Sequence, residues 1–390
     1  MGRQFRNDDT SMWAERYGNG SDGALTISAD TTDSTPNTNC SGSSGTTALT
    51  ASSGTGFSAG DLVLIHQSDN TGNVGNWELN KISSVGGGTN WTMAYNLQLT
   101  YGTHAQVYKL KQYNQVTIDT TKTYTAIDFD VTGTRGGILA ILCNGKVTIN
   151  GTMNAQGKGY RGAASVRNAD GKQGEGYNAD GGTTSINANT VGGGGGWAGD
   201  NHGGFGGGGG AGGGHATVGS GGGSGGTAGS GGNASTAGID NAALSIAHFG
   251  GGGGSGGEQY DQGQAGSGGD GGGGIIVIAP IIELVGTINA NGNNGGNSTF
   301  GISDGGGGGG GAGGFVLLKG AYVDVGTNLI TVAGGSGGTH TGSGGDGGSG
   351  AVGRIHVDYG SVLKGSATVT IDERLDPILA SGGGGILLTM

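Results

Sequence analysis

Hydrophobic positions in this chain fall in short runs that alternate with polar residues or are apolar throughout. In the first third, residues 59–68 (AGDLVLIHQS), 77–85 (WELNKISSV), 105–113 (AQVYKLKQY) and 115–119 (QVTID) mix apolar and polar positions, with Gly, Asn, Ser and Thr clusters between them. Such runs read as β-strands separated by turns. No long window carries a clean helical period. The Ser/Thr-rich stretch 28–55 receives no assignment from its pattern.

Further along, a pattern recurs. GGILAILCNGKVTINGTMNAQGKG begins at Gly136, GGIIVIAPIIELVGTINANGNN at Gly273, GGFVLLKGAYVDVGTNLITVAGGSG at Gly313 and VGRIHVDYGSVLKGSATVTIDE at Val352. Each has one or two glycines, a short β run, a turn and a second β run. The runs ILAILC, IIVIAP and FVLLKG are apolar at consecutive positions, as a parallel strand buried on both faces should be. A unit of this kind buries its apolar faces by stacking on its neighbours. The expected fold is therefore all-β: β-solenoid-like repeat coils over 136–360, an N-terminal β region over 1–135 for attachment or assembly, and a C-terminal strand or tail over 361–390.

Glycine changes the picture between the repeats. The chain has 102 glycines in 390 residues, and residues 192–274 alone hold 41 of them. Only 3 prolines are present, which excludes collagen. A flexible linker is one reading of such tracts. The other is a lattice of extended, polyproline-II-type strands, which lack internal hydrogen bonds and in which Gly allows close backbone approach. The lattice is the expectation, because the blocks are separate passes that begin and end against β runs.

These blocks carry a resemblance. GGGGGWAGDNHGGFGGGGGAGGG, SGGGSGGTAGSGGN, FGGGGGSGGEQYDQGQAGSGGDGGGG and DGGGGGGGAGG resemble the glycine-rich tip adhesins of tail fibres in T-even-type phages. That family stacks polyglycine-II strands into a sandwich and presents variable loops to host receptors. The repeat GGIIVIAP…GTINANG also resembles glycine-rich β-helical surface proteins of phages and bacteria. The long N-terminal β region and the strands between the glycine blocks depart from the tip adhesins. The resemblance implies a virion (tail-fibre) or extracellular-surface location and a host cell-surface protein or glycan as partner. It also implies contact with other virion or fibre subunits and self-association.

Charge and chemistry narrow the function further. The chain carries 17 Lys and Arg against 28 Asp and Glu, a formal charge of −11. So acidic a chain is a poor match for nucleic acid. Its apolar runs are too short for membrane insertion as a helix, and its start shows no signal-peptide pattern. Two cysteines, Cys40 and Cys143, exclude a disulfide scaffold. Lys146, Lys158 and Lys172 follow Gly but lack the Ser or Thr of a phosphate-binding loop. Asp270 and Asp346 imitate calcium β-roll repeats without the period. Ser255 lies in a GGSGG string with no hydrolase context around it. The carboxylate pairs Asp8/Asp9 and Asp128/Asp130 have no partner motif, and the seven histidines show no zinc-like spacing. His202 and His215 share the glycine tract and are expected in exposed loops or caps.

No catalytic residue, cofactor or metal ligand is therefore expected, and the chain reads as non-enzymatic. An all-glycine lattice has no side-chain chemistry, so recognition falls to its turns, at 197–205, 233–249, 258–264 and 297–304. Trp197, His202, Phe205, Phe249, Tyr260 and Phe300 are the candidate receptor contacts. The expected function is a structural virion protein, a phage tail-fibre or adhesin component. The alternative is a self-assembling extracellular filament or matrix subunit.

Overall fold

The computed structural model describes residues 16–69, 72–130, 135–177, 181–188, 190–198, 207–225, 230–258, 264–299, 304–376 and 379. Every element it defines is a strand. The chain opens with β1 (Ala24–Ile27) and β2 (Thr31–Thr32). Then come β3 (Asn37–Gly42), β4 (Ala48–Ala51), β5 (Leu62–Gln67), β6 (Trp77–Gly86), β7 (Asn90–Met93) and β8 (Tyr101–Leu110). These six close into an antiparallel barrel in the order β3-β4-β7-β6-β5-β8. Alternation along β5 explains its two contacts. Val63 and Ile65 point into the barrel core with Trp91, Met93 and Val107, while Leu62 and Leu64 face outward to a second core.

The remaining strands pair in parallel. They are β9 (Gln112–Tyr113), β10 (Gln115–Ile118), β11 (Thr123–Thr125), β12 (Ile138–Cys143), β13 (Lys146–Ile149) and β14 (Thr152–Asn154). After the long glycine tract follow β15 (Gly274–Ile278), β16 (Ile281–Leu284), β17 (Thr287–Asn289), β18 (Phe315–Thr327), β19 (Ile330–Thr331), β20 (Arg354–Ser366) and β21 (Ile371–Leu375). One sheet has ten strands along the path β1-β10-β13-β16-β18-β15-β12-β9, with β20 and β21 added beyond β18. A second has five, in the order β19-β17-β14-β11-β2.

This topology corrects the expected β-solenoid. The path of the large sheet doubles back at β18, which pairs with both β15 and β16, instead of winding as a coil. Strand β18 runs on past the break that Pro280 makes between β15 and β16 in an unchanged register, Lys319 opposite Ile278 and Tyr322 opposite Ile281, while a register shift between Gly320 and Tyr322 arises in its pairing with β20. Nor does a separate β domain precede the parallel part. Strands β1 and β2 lie before the barrel in sequence yet pair with β10 and β11, so the closed barrel is an insertion between strands of the parallel sheets. Burial is the reason. Val116, Ile118, Ile141, Ile275, Val316 and Ile355 fill the core between the two parallel sheets, and Ile27 of β1 packs with them. Ile138, Leu142, Ile276, Phe315 and Leu317 face the other way, against Leu64, Trp77 and Tyr108 of the barrel. The consecutive apolar residues of β12, β15 and β18 are thus covered on both faces.

Glycine segments continue directly from these strands, and their backbones hydrogen-bond sideways. The amides of Gly251, Gly254 and Gly257 donate to Gly214, Ala211 and Gly208. Those of Gly252, Ser255 and Glu258 donate to Glu175, Lys172 and Ala169, and those of Gly253 and Gly256 to Gly269 and Gly266. The direction of donation therefore rotates with a period of three, the residue count per turn of a polyproline-II helix. Carbonyls rotate in the same way towards other neighbours. Gly251, Gly254 and Gly257 accept from Ala312, Gly309 and Gly306, and Gly252 and Ser255 accept from Gly193 and Gly196. Buried backbone groups are paired without a β-ladder, which answers the requirement that they find partners. At one border side chains replace the missing strand. The Oδ1 atoms of Asn291, Asn294 and Asn297 accept from the amides of Ala333, Ser336 and Thr339, at 2.6, 2.9 and 2.8 Å.

Candidate functional site

The lattice interior offers mainly backbone, with isolated side chains such as Ser255 and Glu175 accepting from neighbouring amides, and ionisable side chains cluster where glycine segments end. His215 follows the segment 207–214, and His248 stands just before 250–258. Asp240 comes from the connection between them. All three side chains are fully buried. His215 Nδ1 donates to the Gly313 carbonyl and His248 Nδ1 to the Phe249 carbonyl, each at 2.7 Å. Both rings therefore turn Nε2 inward, to Asp240: His215 Nε2 lies 2.8 Å from Oδ2 and His248 Nε2 3.7 Å from Oδ1. The two imidazoles are in contact, with centroids 4.7 Å apart. Arg354, the first residue of β20, places Nε 2.9 Å from Asp240 Oδ2.

Electrostatics follow from this enclosure. Burial would raise the Asp240 carboxyl, but the charge and hydrogen bond of His215, with His248 and Arg354, hold it well below the usual carboxylate range. Burial, with repulsion from His215, pushes His248 down to about 4, so its ring is neutral at pH 7. A groove of about 330 Å³ adjoins the cluster, lined by Ala216, Ala242, Val352, Arg354, Ile371 and Asp372.

A second buried network lies across β18, β20 and β21. Register sets Lys319 opposite Asp358, Asp358 opposite Arg374, and His356 opposite Asp372. Asp358 receives Lys319 Nζ and both Nε and Nη2 of Arg374, the latter at 2.7 and 3.0 Å. His356 sits between carboxylates, Nδ1 2.7 Å from Asp372 and Nε2 3.0 Å from Asp358. Burial alone would raise Asp358, but His356, Lys319 and Arg374 hold it well below the ordinary carboxylate value.

The expected receptor contacts fare unevenly. Trp197 is 40% exposed at the end of a lattice segment, where its amide donates to Ser230 and its carbonyl accepts from Gly208. Phe249 requires a correction. It is fully buried against Phe129, Tyr160, Phe315 and His66, and cannot touch a receptor from there. The barrel pins the chain just ahead of it, through Trp77 Nε1 on the Leu244 carbonyl and His66 Nε2 on that of Ala247, both at 2.8 Å. His202, Phe205, Tyr260 and Phe300 lie outside the described residues. His215, expected in an exposed loop or cap, is buried and meets His248. The sequence signal for that pair is positional rather than a spacing motif: each His abuts a glycine block, in AGGGH and HFGGGGG.

No protein-family model matches the chain, and no curated protein or solved structure matches it.

Proposed function

We propose that this chain is a structural, non-enzymatic component of a phage tail fibre or similar adhesin, which presents the ends of a glycine lattice to a host cell surface. The observation that carries this reading is the rotating hydrogen-bond pattern of the glycine segments. A packed backbone lattice is rigid yet chemically blank, so binding specificity belongs to the side chains at segment ends, of which Trp197 is an exposed aromatic example. The barrel and parallel sheets then serve as the platform and as the surface for other fibre subunits. The experiment is adsorption of the purified protein to candidate host cells. Trp197→Ala and replacement of residues 259–263 should abolish binding while the fold persists. Unchanged adsorption by both folded variants refutes the reading.

The alternative, a self-assembling filament, draws on the open sheet edges at β1, β2, β19 and β21. Against it, the β21 edge carries Asp372, Glu373 and Arg374 in succession, a charge pattern that discourages edge-to-edge pairing. Electron microscopy separates the two: long regular fibres from purified protein favour the filament, discrete particles the adhesin.

A further inference from the structure

We propose that His215, Asp240 and His248 form a binding site for a divalent transition-metal ion of the zinc class. The first ground is hydrogen-bond bookkeeping. Both Nδ1 atoms face carbonyl oxygens and must carry their hydrogens, which makes Nε2 the nitrogen that each ring can offer to an ion. An ionised carboxylate offers its oxygens. Two imidazole nitrogens and a carboxylate therefore converge in a space without solvent, and His248 Nε2 has no hydrogen-bond partner among the described residues. Burying an unpaired polar atom such as His248 Nε2 is costly, and a cation shared with His215 and Asp240 gives it a partner.

Geometry is the second ground. The three donor atoms lie within 4.8 Å of one another. Tetrahedral zinc with bonds of ~2.0–2.1 Å sets its ligands ~3.3 Å apart. Asp240 faces the two nitrogens with different oxygens, Oδ2 2.8 Å from His215 Nε2 and Oδ1 3.7 Å from His248 Nε2, so a small adjustment of the carboxylate gives each ligand pair that spacing. Two imidazole nitrogens with one carboxylate suit zinc-class ions, whereas magnesium and calcium prefer oxygen throughout.

The surroundings are those of a supported site. Each ring is oriented by a backbone carbonyl, and Arg354 Nε holds Oδ2 of Asp240 while Oδ1 faces His248. The backbone also leaves room: a Cβ on Gly238 would fall on His248 Nε2. In this position an ion ties the ends of two lattice segments to the connection between them, closing the excursion 216–247 at its base. Its role is that of a staple, and it is independent of the adhesin reading.

The test uses the full-length protein. Metal content is measured by elemental mass spectrometry, then Zn²⁺ titration of chelator-treated protein is followed by calorimetry and thermal unfolding. The expected result is one ion per chain, with the melting temperature raised by Zn²⁺. His248→Gln, with amide exchange across 250–258 used to verify the fold, should weaken Zn²⁺ by at least ~100-fold, because loss of even an outer-shell partner weakens sites by 10–100-fold. Exposed His104 and His340 give the control: changing them should leave the stoichiometry intact. Should the ligand variants not fold, Co²⁺ in the unaltered protein decides, with the intense visible absorption of a tetrahedral site expected. Full-affinity binding to folded His215→Gln/His248→Gln, absence of stoichiometric binding, or a purely octahedral Co²⁺ spectrum overturns the proposal.

Discussion

Replacing Gly254 by Ala tests the packing of the glycine segments most directly. Gly254 has no positive φ, so Ala could adopt its backbone without strain. Only space objects. A Cβ there would meet the Gly194 carbonyl oxygen well under 3.0 Å. That oxygen already accepts from Ala211, and its segment is tied back through Gly193 to Gly252 and Gly196 to Ser255, each at 2.9 Å. Relief therefore means moving a strand that is hydrogen-bonded on several sides. Overpacking a tight interior costs about 1–3 kcal/mol. Strain on the bonds of Gly254 itself, its amide to Ala211 at 2.9 Å and its carbonyl from Gly309 at 2.8 Å, adds about 1 kcal/mol each. Against these stands about 0.4–1 kcal/mol gained because Ala restricts the unfolded chain. The expected net loss is roughly 2–4 kcal/mol. Gly221→Ala supplies the control, since its Cβ would be 3.5 Å from the Gly232 carbonyl, an ordinary contact. There only the unfolded-state gain remains, and stability should rise slightly. The assay is urea unfolding of both variants, with amide exchange across 250–258. Equal stability for Gly254→Ala and the unaltered chain, with exchange unchanged, refutes the close-packed arrangement.

Further tests address the buried polar groups. Burial pushes His66 down to about 4, and its neutral ring donates Nε2–H to Ala247. An unfolded His takes its proton near 6.5, so the unfolded state binds more protons below that pH. Stability should fall as pH drops from about 6.5 to about 4, by roughly 3 kcal/mol from this residue, and unfolding midpoints of His66→Gln should show a flatter slope across that window. Asp358→Asn removes the carboxylate that faces His356, Arg374 and buried Lys319 and should destabilise by about 3–5 kcal/mol; calorimetry reads it. Asn294→Ala removes the acceptor of the Ser336 amide and should cost about 1 kcal/mol, with faster exchange confined to the 333–339 border.

Short alternating runs without helical period were enough to establish an all-β chain, because strand alternation is a local property. The doubly apolar runs of β12, β15 and β18 likewise announced strands covered on both faces. Composition also made close backbone approach possible in the glycine blocks, since it removes the Cβ. The N-x-x-N-x-x-N spacing at Asn291, Asn294 and Asn297 even carried the period of three that the lattice border uses. Other features were decided only in three dimensions. Nothing local to residues 24–32 tells them to pair with β10 and β11 beyond an inserted barrel, or tells β18 to join two rows of one sheet. Phe249 and Trp197 are both aromatics bordering glycine blocks, yet one is sealed beneath the barrel and the other is exposed. His215, Asp240 and His248 meet through the alignment of non-consecutive glycine segments. Pairing between such segments depends on which backbones lie side by side, and a residue without a side chain leaves no mark in the sequence of which neighbour it will choose.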